Sequence, residues 1–131
     1  MEPSAGRILL VDDEPSLLKM MSIYLERRGY SVTTAGGTDE ASALAEAAPQ
    51  AFGVAVLDAT MAGLSMEALA LRLLRANPAL HVLAASGYPV EMSALEAAAP
   101  GRVAFLHKPF TPEMLAAAVR RMLAAQEAEE I

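Results

Sequence analysis

Several side chains that could take part in phosphoryl transfer each follow a short apolar segment of the chain. They are Asp12 with Asp13, the single acid Asp58, the hydroxyl of Ser86 and the ammonium group of Lys108. Carboxylates suit a hard cation such as Mg²⁺, which keeps several waters and takes one or two carboxylates plus a phosphate. Such a cation, a free carboxylate, a hydroxyl and a lysine are the parts needed to move a phosphoryl group onto a carboxylate.

The apolar segments that precede these side chains predict strands buried in a parallel sheet. Each segment is short and bounded by turn-forming residues, which is typical of a strand covered on both faces. The predicted strands are 7–11, 30–35, 54–57, 80–85 and 102–106. In an open parallel sheet ligands bind beyond the carboxyl ends of the strands, so side chains that follow the strands would converge there.

Helical patterns separate the predicted strands. The expected helices cover 15–28, 38–48, a segment from Ser65 to Asn77, 90–98 and a segment after Thr111. Thr38, Ser65 and Thr111 are each expected to cap a helix through the side-chain hydroxyl. The alternation predicts an α/β fold, a doubly wound parallel sheet of five strands with helices on both faces. If the strand order is 2-1-3-4-5, the first and third strands are neighbours and their acids lie close together.

Length and composition limit the classes of protein that the chain can represent. With 131 residues it is expected to form a single domain, with a core at about 6–124 and an acidic tail at about 125–131. No uncharged apolar segment approaches the ~20 residues needed to span a bilayer, and the first residues lack the pattern of a secretory signal. The net charge of −6 argues against nucleic-acid binding, and the absence of cysteine fits a cytoplasmic protein.

Four segments at these strand ends, taken together and in this order, resemble the receiver domain of two-component response regulators. They are Ile8-Leu9-Leu10-Val11-Asp12-Asp13-Glu14, Val54-Ala55-Val56-Leu57-Asp58, Ala84-Ala85-Ser86-Gly87-Tyr88 and His107-Lys108-Pro109-Phe110. The resemblance extends over nearly the whole chain and implies the flavodoxin-like receiver fold, a doubly wound sheet with its five strands in the order 2-1-3-4-5. It implies a signalling switch that accepts a phosphoryl group from a sensor histidine kinase or a phosphotransfer protein, and not an enzyme with a separate substrate.

The resemblance also implies which residues form the phosphorylation site. Asp58 would be the phosphoacceptor and would contact Mg²⁺. Asp13 would be a direct ligand of the cation, Asp12 would act largely through water, and the carbonyl group of Thr60 would be a third protein ligand.

Further residues would respond to the phosphoryl group, again by resemblance. Lys108, in a cis bond to Pro109, would pair first with the acceptor carboxylate and then with the phosphoryl oxygens. Ser86 would hydrogen-bond a phosphoryl oxygen, and Phe105 would turn inward as that hydroxyl moves. A downstream protein would bind the face formed by the fourth helix, the fifth strand and the fifth helix.

Each of these residues also has a purely structural interpretation. The acids at 12–14 could only cap the first helix, Asp58 could be a loop acid, Ser86 a turn hydroxyl, Lys108 a surface lysine and Phe105 a core aromatic. Of the two histidines, His81 is expected to lie in solvent and His107 to have a structural role.

The loop after Asp58 departs from the family pattern. Receivers usually have proline where this chain has Ala62, and glycine where it has Met66. Gly63 could supply the backbone freedom one position away. The loop geometry and the lifetime of the phosphoryl group are therefore open.

Two other functions remain open. The unusual loop would suit an interaction module that keeps the fold but works without phosphorylation. A small phosphohydrolase with Asp58 as nucleophile is more remote, because related hydrolases have a second acid where this chain has Thr60. The residues of the motifs fit either a stand-alone receiver or a receiver attached to a hybrid histidine kinase.

Overall fold

The computed structural model describes residues 6–59 and 65–130, the last five of them as backbone only. Strands and helices alternate along these residues. In chain order they are β1 (Arg7–Val11), α1 (Pro15–Arg27), β2 (Ser31–Ala35), α2 (Thr38–Ala47), β3 (Val54–Asp58), α3 (Met66–Ala76), β4 (His81–Ser86), α4 (Ser93–Ala98), β5 (Val103–His107) and α5 (Pro112–Glu130). The element order confirms the predicted α/β architecture.

The five strands form one parallel sheet in the order β2-β1-β3-β4-β5, as predicted. The register aligns the carboxyl ends of the strands at one edge of the sheet. Val11 lies opposite Leu57, and Ser86 lies opposite His107. This alignment brings the residues that end or follow β1, β3, β4 and β5 to the same edge, which is called the carboxyl edge below.

The core lies in two layers because side chains on a strand alternate between the faces of the sheet. One face packs against α2, α3 and α4 and includes Leu9, Leu57 and Leu69. The other packs against α1 and α5 and includes Leu10 and Leu115. Every residue of β3 and β4 is buried, which agrees with apolar strands covered on both sides.

Two of the three predicted helix caps are present. Ser65 Oγ accepts a hydrogen bond from the backbone amide of Ala68 at 3.1 Å, and Thr111 Oγ1 accepts one from Met114 at 3.1 Å. The prediction for Thr38 was wrong, since α2 begins at Thr38 itself and its N-cap residue is Gly37. Thr38 is buried, because the first turn of α2 packs against the rest of the fold.

His81 corrects another expectation. It was predicted to lie in solvent, but only 1% of it is exposed, because β4 is an inner strand of the sheet. Its side chain lies on the face of the sheet that α5 covers. The expectation considered only that His81 begins its strand, whereas the inner position of β4 buries that first residue as well.

The ends of two helices also differ from expectation. Helix α4 begins at Ser93 and not near Val90, because Val90 and Met92 pack against the core before the helix starts. Helix α5 continues to Glu130, so the backbone of the acidic tail is helical up to that residue. Alanine and glutamate are strong helix formers, which explains the extension. No helix within the described residues is long and apolar enough to cross a membrane.

A polar cluster lies at the opposite edge of the sheet, here called the amino edge. Asn77 is buried, donates from Nδ2 to the Phe52 carbonyl at 3.0 Å, and accepts at Oδ1 from the Ala79 amide at 3.0 Å. Arg102 donates from Nη1 to the carbonyl of Leu80 at 2.9 Å. These bonds fix the loops that lead into β3, β4 and β5.

Candidate functional site

Three acidic side chains meet at the carboxyl edge. Asp12 follows β1 and Asp58 ends β3, and these neighbouring strands place the two carboxylates side by side. One carboxylate oxygen each from Asp12, Asp13 and Asp58 lies within 4.8 Å of the other two. Asp12 and Asp58 are 4% and 3% exposed, whereas Asp13 is exposed at the mouth of the site. The sequence prediction that these acids converge is confirmed.

Lys108 enters the same cluster from the end of β5. Its Nζ lies 3.1 Å from Asp12 Oδ2 and 3.4 Å from Asp58 Oδ1. Its backbone amide donates to the carbonyl of Ser86 at 2.9 Å, and its bond to Pro109 is cis, as predicted. One ammonium group therefore bridges two buried carboxylates and is not a free surface lysine.

The electrostatics of the cluster follow from burial and crowding. Burial raises the pKa of the Asp12 carboxyl, and the charge of Asp58 adds to that rise, although the Glu14 amide and Lys108 oppose it by hydrogen bonding. Partial burial disfavours the charge on Lys108, but its bond to Asp12 and the two carboxylate charges outweigh this effect and raise the pKa of Lys108. The lysine is therefore held in its charged form.

Ser86 ends β4 and is buried beside the acidic cluster. Its Oγ accepts a hydrogen bond from the backbone amide of Tyr88 at 3.0 Å, which directs the hydroxyl oxygen toward the loop after β4. A hydroxyl that accepts one bond still has its hydrogen to donate. The predicted phosphate-binding hydroxyl is thus present at the carboxyl edge and has a defined partner in this conformation.

Phe105 is half-buried on β5 and packs against the core layer beneath α4. Its ring also meets the His107 ring edge-on, with centroids 4.7 Å apart and planes at 87°. The sequence interpretation gave His107 no specific contact. The spacing of two residues on one strand was the available signal, because it places both rings on the same face.

The loop after Asp58 is described only in part. The predicted ligand Thr60 lies outside the described residues, as do Ala62 and Gly63. Met66 is the first residue of α3 and is buried in the core layer with Leu69. The methionine at the atypical position therefore fills the core.

The donor set fits a hard divalent cation. All three acidic side chains supply oxygen, the ligand atom that Mg²⁺, Ca²⁺ and Mn²⁺ prefer. When ionised, the three carboxylates carry more negative charge than the single Lys108 can neutralise. The site could therefore hold a metal ion, with Asp13 on its open side.

A groove of about 410 Å³ opens next to the cluster. It is lined by Glu14, Leu17, Gly87, Lys108, Pro109 and Phe110. One wall is α1 and the other is the loop between β5 and α5. The lysine of the site is therefore reachable from a largely apolar surface.

A family model for the response regulator receiver domain matches residues 8–120. The match covers most of the chain, and the chain belongs to this family. A solved response regulator receiver domain protein (CheY-like) from Methanospirillum hungatei JF-1 has a TM-score of 0.81 and 26% identity, and the alignment covers 95% of this chain and 98% of that one. The family and the fold that the sequence predicts are thus confirmed.

Two curated relatives are larger proteins, and this chain matches only a part of each. The alginate biosynthesis transcriptional regulatory protein AlgB of Pseudomonas aeruginosa is 33% identical over 123 residues, which cover 93% of this chain and 27% of that protein. The sensor kinase CckA of Brucella abortus is 30% identical over 123 residues, which cover 94% of this chain and 13% of that protein. This chain therefore spans less than a third of the length of either relative.

Proposed function

We propose that the chain is a phosphorylation-dependent signalling switch that accepts a phosphoryl group on Asp58. The observation that carries the proposal is the bridge made by Lys108, whose Nζ lies 3.1 Å from Asp12 and 3.4 Å from Asp58 within the acidic cluster. A charged lysine and a buried carboxylate at the end of a central strand are arranged for charge stabilisation, which is the main need of phosphoryl transfer.

The donor would be a phosphohistidine of a sensor histidine kinase or of a phosphotransfer protein. A carboxylate oxygen of Asp58 attacks the phosphorus, the phosphorus–nitrogen bond breaks, and the histidine ring leaves with the bonding electron pair. The product is an acyl phosphate on Asp58, which water later hydrolyses. Hydrolysis releases inorganic phosphate and restores the Asp58 carboxylate. On this proposal the phosphoryl acceptor is a residue of the chain itself, and the chain is not an enzyme with a separate substrate.

Mg²⁺ is the cation we propose for the acidic cluster. Asp13 and Asp58 would hold it directly, Asp12 largely through water, and the carbonyl group of Thr60 would complete the protein ligands. When bound, the cation would neutralise charge on the acids and on the phosphoryl oxygens. Lys108 can stabilise charge at Asp58 without the cation, since its ammonium group already contacts that carboxylate.

The switch would follow from the new charge at Asp58. Phosphorylation adds about −1.5 to −2 charge and three acceptor oxygens. Lys108 and the Ser86 hydroxyl can bind those oxygens, so the conformation in which both do so gains population. Ser86 would exchange its bond to Tyr88 for one to the phosphoryl group, and Phe105 would turn inward.

Two protein partners follow from this proposal. The kinase or phosphotransfer protein would approach through the groove beside Lys108, which leads to the acidic cluster. A downstream protein would bind the face formed by α4, β5 and α5. We propose a cytoplasmic location for these encounters, either as a stand-alone receiver or as the receiver of a hybrid kinase.

The test is phosphoryl incorporation from a small acyl phosphate or phosphoramidate. The chain would be compared with and without Mg²⁺ and as the Asp58→Asn variant. We expect incorporation that needs both Mg²⁺ and Asp58. Asp39→Asn is the matched control, because Asp39 is an exposed acid in the first turn of α2, outside the cluster, and should leave incorporation unchanged.

A folded chain that takes up no phosphoryl group would contradict the proposal. The atypical loop with Ala62 and Met66 motivates the alternative, an interaction module that works without phosphorylation. That alternative predicts that a partner binds the wild type and an Asp58→Ala variant equally well. Steady turnover of phosphoesters would instead indicate a phosphohydrolase.

A further inference from the structure

The contact between Phe105 and His107 links the exposed part of β5 to the phosphorylation site. Both side chains lie on the face of β5 that points toward α4, and their rings meet edge-on at 4.7 Å. An edge-to-face arrangement is a favoured geometry of two aromatic rings. His107 is exposed and Phe105 is half-buried, so an exposed ring contacts a partly buried one.

The same histidine is the direct strand partner of Ser86. The register pairs Ser86 with His107 and Ala84 with Phe105. The backbone bond from Lys108 to the Ser86 carbonyl, at 2.9 Å, fixes this pairing at the end of the two strands. Across the sheet Ala84 offers Phe105 only a methyl group, and along the strand the His107 ring contacts it edge-on.

We infer that His107 is a positioning residue that holds Phe105 in its resting place and so opposes the conformational change at Ser86. The inference deepens the proposed function and rests on it, because it concerns how strongly the phosphoryl group must act to shift the equilibrium. An interaction made only in the resting conformation favours that conformation, and a ligand of the other one must overcome it.

The expected size follows from the strength of one aromatic pair. Removing it should change the ratio of the two conformations by about two- to tenfold. The half-saturating concentration of a phosphoryl analogue should fall by about the same factor while the resting conformation predominates.

The experiment titrates beryllofluoride, an analogue of the phosphoryl group, in excess Mg²⁺. Wild type, His107→Ala and His107→Phe would be compared by the amide signal of Tyr88, which reports the bond to Ser86 Oγ seen at 3.0 Å. We expect His107→Ala to need about two- to tenfold less beryllofluoride than the wild type. His107→Phe keeps a ring at this position and should restore the wild-type value.

The spectrum without analogue is a second, independent measurement. In His107→Ala the Tyr88 amide should already shift toward its beryllofluoride-bound position, and in His107→Phe it should not. Thermal unfolding of both variants separates this effect from a general loss of stability, which would not lower the concentration of analogue required.

Equal half-saturation in wild type and His107→Ala would overturn the inference. An equal decrease in His107→Ala and His107→Phe would also overturn it, because the aromatic ring would then not be the cause. Failure of the wild type to bind beryllofluoride would contradict the proposed function. In that case an unshifted Tyr88 amide in His107→Ala without analogue would separately overturn the role of His107.

Discussion

The two edges of the sheet use polar residues in opposite ways. At the amino edge Asn77 is buried but neutral, and both ends of its amide group bond to backbone at 3.0 Å. At the carboxyl edge Asp12 and Asp58 are buried side by side and share one ammonium group, that of Lys108. The amino edge satisfies its polar groups, whereas the carboxyl edge gathers like charges that disfavour one another.

This difference separates structural polar residues from functional ones. A neutral group with complete hydrogen bonds contributes to stability and needs no ligand. A cluster with more carboxylates than cations becomes more stable when a divalent ion binds to it, because the ion neutralises the excess negative charge. Burial alone therefore does not identify the functional site, since both edges contain buried polar residues. The excess of negative charge at the carboxyl edge identifies it.

The largest effect is expected at the amino edge. Asn77→Ala should lower the free energy of unfolding by about 2–3 kcal/mol, because two buried hydrogen bonds are lost. The measurement is urea denaturation at neutral pH. The variant should still take up a phosphoryl group at a temperature where it is folded. Full stability would show that the Asn77 bonds are not important, and loss of uptake in the folded variant would break the distinction between the edges.

The next effect is stabilisation by Mg²⁺. Binding to the folded chain alone should add about 1.4 kcal/mol at a concentration ten times the dissociation constant. Asp13→Asn should remove most of this gain, because Asp13 belongs to the acidic cluster and is proposed as a direct ligand of the cation. Thermal unfolding against Mg²⁺ concentration measures it.

Asn77→Ala provides the control for the magnesium experiment. It should unfold at a lower temperature but show the same increase with Mg²⁺ as the wild type. An Asp13→Asn variant with an undiminished increase would exclude the acidic cluster as the metal site.

A smaller effect, opposite in sign to that of Asn77→Ala, is expected for Asp58→Ala without divalent cations. Removing this buried carboxylate relieves repulsion with Asp12 and leaves Lys108 paired with Asp12 at 3.1 Å. The free energy of unfolding should rise by about 1 kcal/mol. Denaturation in the presence of a chelator measures it, with Asp39→Ala as the exposed control. A clear loss of stability would mean that the cluster stabilises the fold and is not a strained functional site.

Apolar strands and the polar residues at their ends are local patterns, so the sequence predicted the five strands and the side chains that follow them. The sheet order, which makes Asp12, Asp13, Asp58 and Lys108 converge, was predicted from the resemblance to receiver domains. His81 was expected to lie in solvent because it begins its strand, but β4 is an inner strand and its first residue is buried as well. The bond from the Tyr88 amide to Ser86 Oγ spans only two residues and agrees with the structural interpretation of Ser86 as a turn hydroxyl. The burial of His81, in contrast, depends on the packing of distant elements, which leaves little trace in local sequence.

The smallest effect concerns Lys108 at high pH. Its pKa in the folded chain is raised above the ordinary value of 10.5. The folded state thus holds the proton more tightly than the unfolded state, so the stabilisation is complete below 10.5 and disappears as the pH rises through the folded pKa.

The stability difference between wild type and Lys108→Met should therefore shrink at high pH. Denaturation in a chelator, from about pH 8 to about pH 11.5, measures it, and Lys19→Met at an exposed lysine of α1 is the control. A difference that stays constant over this range would mean that the charge on Lys108 does not stabilise the fold. The carboxyl edge would then resemble the amino edge, where hydrogen bonds and packing, and not charge, hold the polar residues in place.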